Sequence, residues 1–294
     1  MTQFLLNGLC VGSVYLLVAL GFGLILFAGR TFHIAHGAVF TLAAYMSFLC
    51  FQMLGMPLVL SVSVGVLAGV ALGVLSEVVV YRPLGDARRS SPASPMTLLV
   101  SSLGVYIVVV SIVSLFFGAE SRTLRAGSYT SVSLGDSMLT SIQIIQLLVG
   151  LSAVAGMWLF LKTMPLGQLF RAMADDPEML STLGYDVQKL RLCVFGLGSA
   201  LASVGGILVA LDTGVDPGVG FDAVLFAATA AILGGIGRFL APAVGALALG
   251  LLQGLVVWSI SSRWTSAVVF FTLVVVLFVR PQGLRGFAKR AEEL

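Results

Sequence analysis

Nine apolar stretches, most of them long enough to cross a lipid bilayer, leave this chain few ways to fold. They run Phe4–Ala28, Ile34–Leu54, Pro57–Tyr81, Met96–Phe117, Ser141–Leu161, Leu192–Leu211, Phe221–Ile236, Phe239–Ile260 and Thr265–Val279. A hydrocarbon core of ~30 Å needs about 20 apolar residues per helix. Inside it every backbone N–H and C=O must be satisfied within the protein, which leaves helices or closed barrels. The alternation of an outer-membrane barrel is absent. Only 10% of residues are charged, against about 25% in soluble domains. The reading is an all-α, polytopic transmembrane helical bundle of eight or nine spans. It forms a single membrane domain over residues 1–294. The seventh stretch has 16 residues and is rich in Gly and Ala, so it is read either as a span or as a broken, re-entrant half-helix.

Cations orient the bundle. With the N-terminus outside, thirteen fall inside: Arg30, Arg82, Arg88, Arg89, Lys162, Arg171, Lys189, Arg191, Arg238, Arg280, Arg285, Lys289 and Arg290. Three, Arg122, Arg125 and Arg263, fall outside. That bias puts the C-terminus in the cytoplasm and favours a crossing by the seventh stretch. The first stretch is expected to be retained: Met1-Thr2-Gln3 lacks a basic leader region and the run after it is too long for one. The net charge of +3 sits mostly on inner loops, so no nucleic-acid partner is expected. Cys10, Cys50 and Cys193 lie in or beside apolar runs and read as small hydrophobic residues, with no metal or disulfide framework.

One polar interruption, Leu166–Arg191, separates two of the apolar runs. It carries the signals of a short helix. Asp175 and Asp176 are candidate N-caps, Pro177 suits the first helical position and Gly184 the left-handed position after the end. On the inner side of a membrane protein, such a helix is a handle for a soluble partner. The coupling region is placed at 163–191, and an outer loop at 118–140 has room for little more than a short hairpin or helix.

No G-x-x-x-x-G-K-[ST] run exists to bind ATP. Gly234-Gly235-Ile236-Gly237 is followed by no Lys-Ser/Thr and lies among apolar residues. The runs hold almost none of the ionisable residues by which secondary transporters couple ions. Glu77, near the inner end of the third run, is expected to reach Arg82 or the interface, or else a partner subunit. His33 and His36, three apart, share a helical face, but no Cys or carboxylate completes a metal site. They either bond helix ends at a break in the membrane or line a solute path. Nucleophile and metalloprotease motifs are missing too.

Several short motifs recur in a fixed order. Gly8-x-x-x-Gly12-Ser13-Val14-Tyr15 leads to His33-Ile34-Ala35-His36-Gly37-Ala38 and Tyr81-Arg82-Pro83-Leu84. Arg171-Ala172-x-Ala174-Asp175-Asp176-Pro177 follows, then Leu183-Gly184. Ala230-Ala231-Ile232-Leu233-Gly234-Gly235-Ile236-Gly237 and Arg280-Pro281-Gln282-Gly283-Leu284 complete the set. Together they resemble the LivH-like membrane permeases of the branched-chain amino acid ABC importer family over nearly the whole chain. One departure stands out: the family usually has Asn-Phe-Ala-His-Gly where this chain has His33-Ile34-Ala35-His36-Gly37.

The resemblance implies a multi-pass protein of the bacterial inner membrane that is itself no enzyme and holds no cofactor. It works in lipid with a second homologous permease subunit, two cytoplasmic ATPase subunits and an extracytoplasmic solute-binding protein. Asp176–Gly184 becomes the coupling helix, with Pro177, Met179, Leu180 and Leu183 as apolar contacts and Asp175 and Asp176 favouring its N-terminus. His33, His36, Gly37, Thr229, Gly234 and Gly235 are candidates for the solute path, where the positive end of a broken helix would meet a carboxylate. Glu120, Arg122, Arg125, Asp212, Asp216 and Asp222 are outer charges for docking the binding protein, or plain solvated loop residues. Gly8/Gly12 and Gly65/Gly69/Gly73 have the spacing that lets helices approach closely, within the chain or against a partner. The cargo is expected to be a branched-chain or related amino acid, with urea, short amides or aromatic acids as the alternative. A stand-alone secondary transporter or channel, and an intramembrane enzyme, are the rival classes.

Overall fold

The computed structural model describes residues 2–86, 95–124, 127, 130–134, 137–235 and 237–279. Arg88, Arg89, Arg125, Ile236 and the tail from Arg280, with its four cations, lie outside the described residues.

The architecture is helical. Helix α1 is Thr2–Ala28, and α2 is His36–Phe48, prolonged by a π-turn at Leu49–Met53. Helix α3 is Leu58–Ser76, running through a second π-turn, Glu77–Tyr81, into α4, Arg82–Asp86. Helix α5 is Pro95–Phe117. Strands β1, Ser131–Leu134, and β2, Ser137–Thr140, precede α6, Ser141–Thr163. Then come α7, Pro165–Asp175; α8, Pro177–Thr182; α9, Val187–Asp212; α10, Val219–Gly234; α11, Ala241–Ser259; and α12, Thr265–Val279. Among the described residues eight helical stretches are long and apolar enough to span a bilayer, with α10 as a shorter apolar helix.

Helix α1 is the hub. Of its most apolar window 78% is buried, against 6% for α12 and 17% for α5 and α6. These outer helices present apolar side chains to lipid or to another subunit, since no water contact rewards burying them. The hub works because small residues thin it. A Cβ on Gly8 would stand 2.5 Å from the Gly250 carbonyl oxygen of α11, and one on Gly250 would stand 2.5 Å from the Gly12 Cα. The α1–α11 seam is therefore backbone against backbone. Gly65, Gly69 and Gly73 of α3 receive the hydroxyls of Ser47, Ser203 and Ser199 on α2 and α9. The small-residue rows seen in the sequence are thus used inside this chain.

Contacts sort the ends of the helices into two faces. Thr2 accepts from Ser137 at 3.2 Å, and Gln3 exchanges hydrogen bonds of 2.8 Å with the Met138 backbone, so the chain start and the β-hairpin share one face. Arg122 and Val215 exchange backbone hydrogen bonds of 2.8 Å, adding the α9–α10 connection to that face. Arg30 and the α7–α8 region meet on the opposite face. The 118–140 loop does contain a hairpin, registered Ser131↔Thr140 to Leu134↔Ser137. A capping box joins it to α6: Thr140 accepts from the Gln143 N–H at 3.4 Å and the Gln143 side chain accepts from the Thr140 N–H at 3.1 Å,.

The seventh stretch folds as α10, a shorter apolar helix than the eight candidate spans. It begins next to α9, which ends on the hairpin face. It hands over to α11 at the other end, where Phe239 packs edge-on against Phe27 at the close of α1. Its sixteen residues rise only about 24 Å. Gly220 sits tightly against Gly37 at the start of α2.

Candidate functional site

The polar interruption folds as two helices in series rather than one. Helix α7 opens with Pro165 at its first turn and buries Gly167, Phe170 and Met173 at a helical spacing. Phe170 packs on Phe160 of α6 with ring centroids 5.7 Å apart. The chain breaks at Asp176, whose extended backbone (φ −150°) ends α7 and starts α8. The Asp176 carboxylate accepts from the N–H groups of Glu178 at 2.9 Å and Met179 at 3.0 Å, satisfying two free donors of the first turn. Asp175 is not a cap; it is the last residue of α7. Helix α8 is shorter than Asp176–Gly184, stopping at Thr182.

Its C-terminus is a Schellman motif. Gly184 has φ +89°, its N–H donates to the Ser181 carbonyl at 3.0 Å, and the Tyr185 N–H donates to the Leu180 carbonyl at 3.3 Å. The exposed surface is selective. Met179 and Leu183 are 61% and 64% exposed, and Tyr185, which the sequence pattern did not single out, joins them. Leu180 is 4% exposed and belongs to the core under the helix with Leu24, Ile25, Tyr81 and Phe195. It therefore faces the spans, not a partner, because α8 has less than two turns and one side must anchor it.

Two arginines with no sequence signature tie this foot to the bundle. Arg30, with φ +50°, donates to the carbonyls of Ala174 at 3.2 Å and Asp175 at 3.0 Å. Those are the last carbonyls of α7, where a cation is favoured. Arg191, in the first turns of α9, grips Glu77 through Nε to Oε1 at 2.6 Å and Nη2 to Oε2 at 3.1 Å. Its Nη1 donates to the Gly29 carbonyl at 2.9 Å. Glu77 is thus a buried, bidentate partner of Arg191, rather than of Arg82 or the interface. Asp186 caps α9 by accepting from the Lys189 N–H at 3.1 Å.

The path candidates sit elsewhere. His33 and His36 are fully enclosed, with ring centroids 5.7 Å apart. His33 Nδ1 lies 2.8 Å from the Tyr81 hydroxyl and His36 Nε2 lies 3.2 Å from the Val18 carbonyl. His33 also packs edge-on against Phe195 at 5.2 Å. The imidazole that departs from the family's Asn therefore joins an aromatic nest. Gly37 is closed off by Gly220, and Gly234 by the Ala241 carbonyl. Thr229 is buried and donates to the Leu225 carbonyl at 2.8 Å. Gly235, at φ +116°, forms the turn after α10. None of the six is brought to an open surface of this subunit. Among the described residues no group of three His, Cys, Asp or Glu side chains is placed to hold a metal ion.

The outer charges divide. Glu120 is exposed. Asp216 is exposed and accepts from the Gly218 N–H at 2.8 Å. Arg122 donates to the Phe117 carbonyl at 3.2 Å, and Asp212 accepts from Gln146 at 3.2 Å. Asp222, six residues beyond Asp216, is also exposed. It stands in the first turn of α10, beside a cavity lined by Val11 and Tyr15 of α1.

The family described as branched-chain amino acid transport system, permease component, matches residues 4–277. The chain is similar to the high-affinity branched-chain amino acid transport system permease protein BraD of Pseudomonas aeruginosa, with 32% identity over 97% of this chain and 95% of that one. It is similar to LivH of Escherichia coli, with 31% identity over the same shares. Among solved structures, PsaBC from Streptococcus pneumoniae in complex with Fab shares the fold, with a TM-score of 0.52 at 13% identity, covering 95% of this chain and 91% of that one.

Proposed function

The chain belongs to the branched-chain amino acid transport permease family, and from that premise we propose that it forms one half of the pore of an ATP-driven importer for small aliphatic amino acids. It is a multi-pass inner-membrane permease subunit of an ABC importer, not favoured as a stand-alone channel. A second homologous permease completes the pore, two ATPase subunits drive it from the cytoplasm, and a binding protein delivers cargo from outside. The N-terminus and hairpin face outward and the α7–α8 foot faces inward, in line with the distribution of cations.

One observation supports this reading best. The foot is capped at both ends, exposes Met179, Leu183 and Tyr185, and is bolted to the spans by Arg30 and Arg191. A load on α8 passes to α7 and α1 through Arg30, and to α9 and α3 through Arg191 and Glu77. An ATPase that closes on ATP would pull the foot, and a rigid linkage turns that pull into tilting of spans. The enclosed histidines and glycines then serve the helix crossings, and discrimination lies largely in the binding protein.

Reconstitution tests this. Proteoliposomes holding both permeases and both ATPases should accumulate radiolabelled L-leucine only with ATP inside and loaded binding protein outside. Equal uptake by the permeases without the ATPases would refute the reading.

A further inference from the structure

Asp222 is an exposed carboxylate in the first turn of α10, at the mouth of a polar opening between four helices. It lines a cavity of about 250 Å³ together with Val11 and Tyr15 of α1, Gln253 of α11, and Thr265 and Ser266 of α12. Val11 and Tyr15 stand about 14 and 20 Å along α1 from its first residue at 1.5 Å per residue, on a helix long and apolar enough to span a bilayer. Ionisable groups on the apolar helices of a membrane protein are rare and mark pathways or paired charges. Here the charge has no protein counter-ion: among the described residues Asp222 forms no ion pair or hydrogen bond. The Tyr15 hydroxyl, the Gln253 amide and the Ser266 hydroxyl likewise have no hydrogen-bond partner among them. Four elements have brought a carboxylate, a phenol, an amide and hydroxyls to one opening, and left most of them unused. The other wall is apolar, with Leu225, Phe226 and Val269. Phe226 is itself held by stacking on Tyr15, with centroids 4.4 Å apart.

We propose that this cavity receives a primary ammonium group, that of the amino-acid cargo in transit, with the aliphatic side chain against Leu225, Phe226 and Val269. An ammonium carries three donors. The Asp222 carboxylate, the Tyr15 oxygen and the Gln253 carbonyl oxygen are acceptors for them. The Gln253 amide and Ser266 hydroxyl remain to donate to the cargo carboxylate. The proposal rests on the importer reading for the identity of its ligand, but the site is testable apart from transport.

The test uses the permease pair with its ATPases in nanodiscs, without the binding protein, probed by saturation-transfer NMR. L-leucine and 3-methylbutylamine should receive saturation and 4-methylpentanoate, which lacks the ammonium, should not. Asp222→Asn should reduce the L-leucine effect about tenfold or more, the scale of one charge-assisted hydrogen bond, while Asp222→Glu keeps most of it. Gln253→Leu, which leaves the charge in place, should weaken it severalfold. Unchanged L-leucine contact in Asp222→Asn would overturn the proposal. So would separation of the two permeases in that variant on gel filtration, which would make Asp222 an intersubunit charge. If the wild-type complex shows L-leucine contact that depends on Asp222 but no ATP-driven uptake, the site stands and the importer reading falls. Uptake with no such contact leaves the importer reading and removes the site.

Discussion

Arg191 holds Glu77 with two hydrogen bonds across 114 residues of sequence, joining the start of α9 to the π-turn below α3. The carboxylate is 3% exposed. Arg191→Leu strands it without a counter-ion, and breaking such a buried pair costs about 3–5 kcal/mol. The double replacement Glu77→Leu with Arg191→Leu should recover much of that loss. Denaturant unfolding of the solubilised protein measures it, and a single variant as stable as wild type would contradict the assignment.

The crossing of α2 and α10 leaves no space for a methyl group. A Cβ on Gly37 would strike the Gly220 carbonyl, and one on Gly220 the Gly37 carbonyl, both backbone atoms that do not rotate away. Gly37→Ala and Gly220→Ala should each destabilise by about 1–3 kcal/mol. Gly196→Ala is the control, because its Cβ would meet only Val74 and Val70 side chains at 3.8 and 3.9 Å. It should be neutral or slightly stabilising, since Ala favours helix by about 1 kcal/mol over Gly.

Exposure separates the two roles within α8. Met179→Asp combined with Leu183→Asp should abolish co-purification of the ATPase subunits while membrane insertion and unfolding stability stay near wild type. Leu180→Ala should instead cost about 2–5 kcal/mol as a core deletion. Pull-down and melting curves on the same preparations distinguish them. If the Met179/Leu183 double variant still assembles and transports, α8 is not the coupling contact.

The two ends of α8 give graded effects. Gly184→Val places a β-branched residue at φ +89°, a left-handed conformation that costs roughly 1–2 kcal/mol. Asp176→Ala removes the cap of the first turn, at about 1 kcal/mol. Amide exchange of Gly184 and Tyr185 should accelerate in the first variant and that of Glu178 and Met179 in the second. Both should slow ATP-driven uptake in proportion, because a loosened foot transmits less of the pull.

Much of α8 was legible in the sequence because a cap is a local device. Asp176, Pro177 and Gly184 act on groups two or three residues away. The neighbouring helix α7 was not recognised, since Pro165 to Asp175 carries no polar cap: Met164 caps it only by its extended backbone. The inward turn of Leu180 was also hidden. Its hydrophobicity equals that of Leu183, and only the packing of α8 on Tyr81 and Phe195 tells them apart. Arg30 and Arg191 counted in the sequence merely as inner cations. Their partners lie more than a hundred residues away, and nothing local encodes the pairing. That Asp222 shares an opening with Tyr15, Gln253 and Ser266 was hidden for a related reason: those residues lie on helices far apart in sequence.

Hydropathy and local capping signals alone were enough for the helical membrane class, most of the long apolar helices and the two caps of α8. These depend on hydropathy summed over some twenty residues and on hydrogen bonds spanning three. Packing in three dimensions set which helix became the hub, which face of each helix turned inward, which charges met, and that polar groups from four helices gather at one opening. Those outcomes depend on close approach between residues distant in sequence. Close approach is set by where small side chains let two backbones touch, a condition that exists only once both helices are in place.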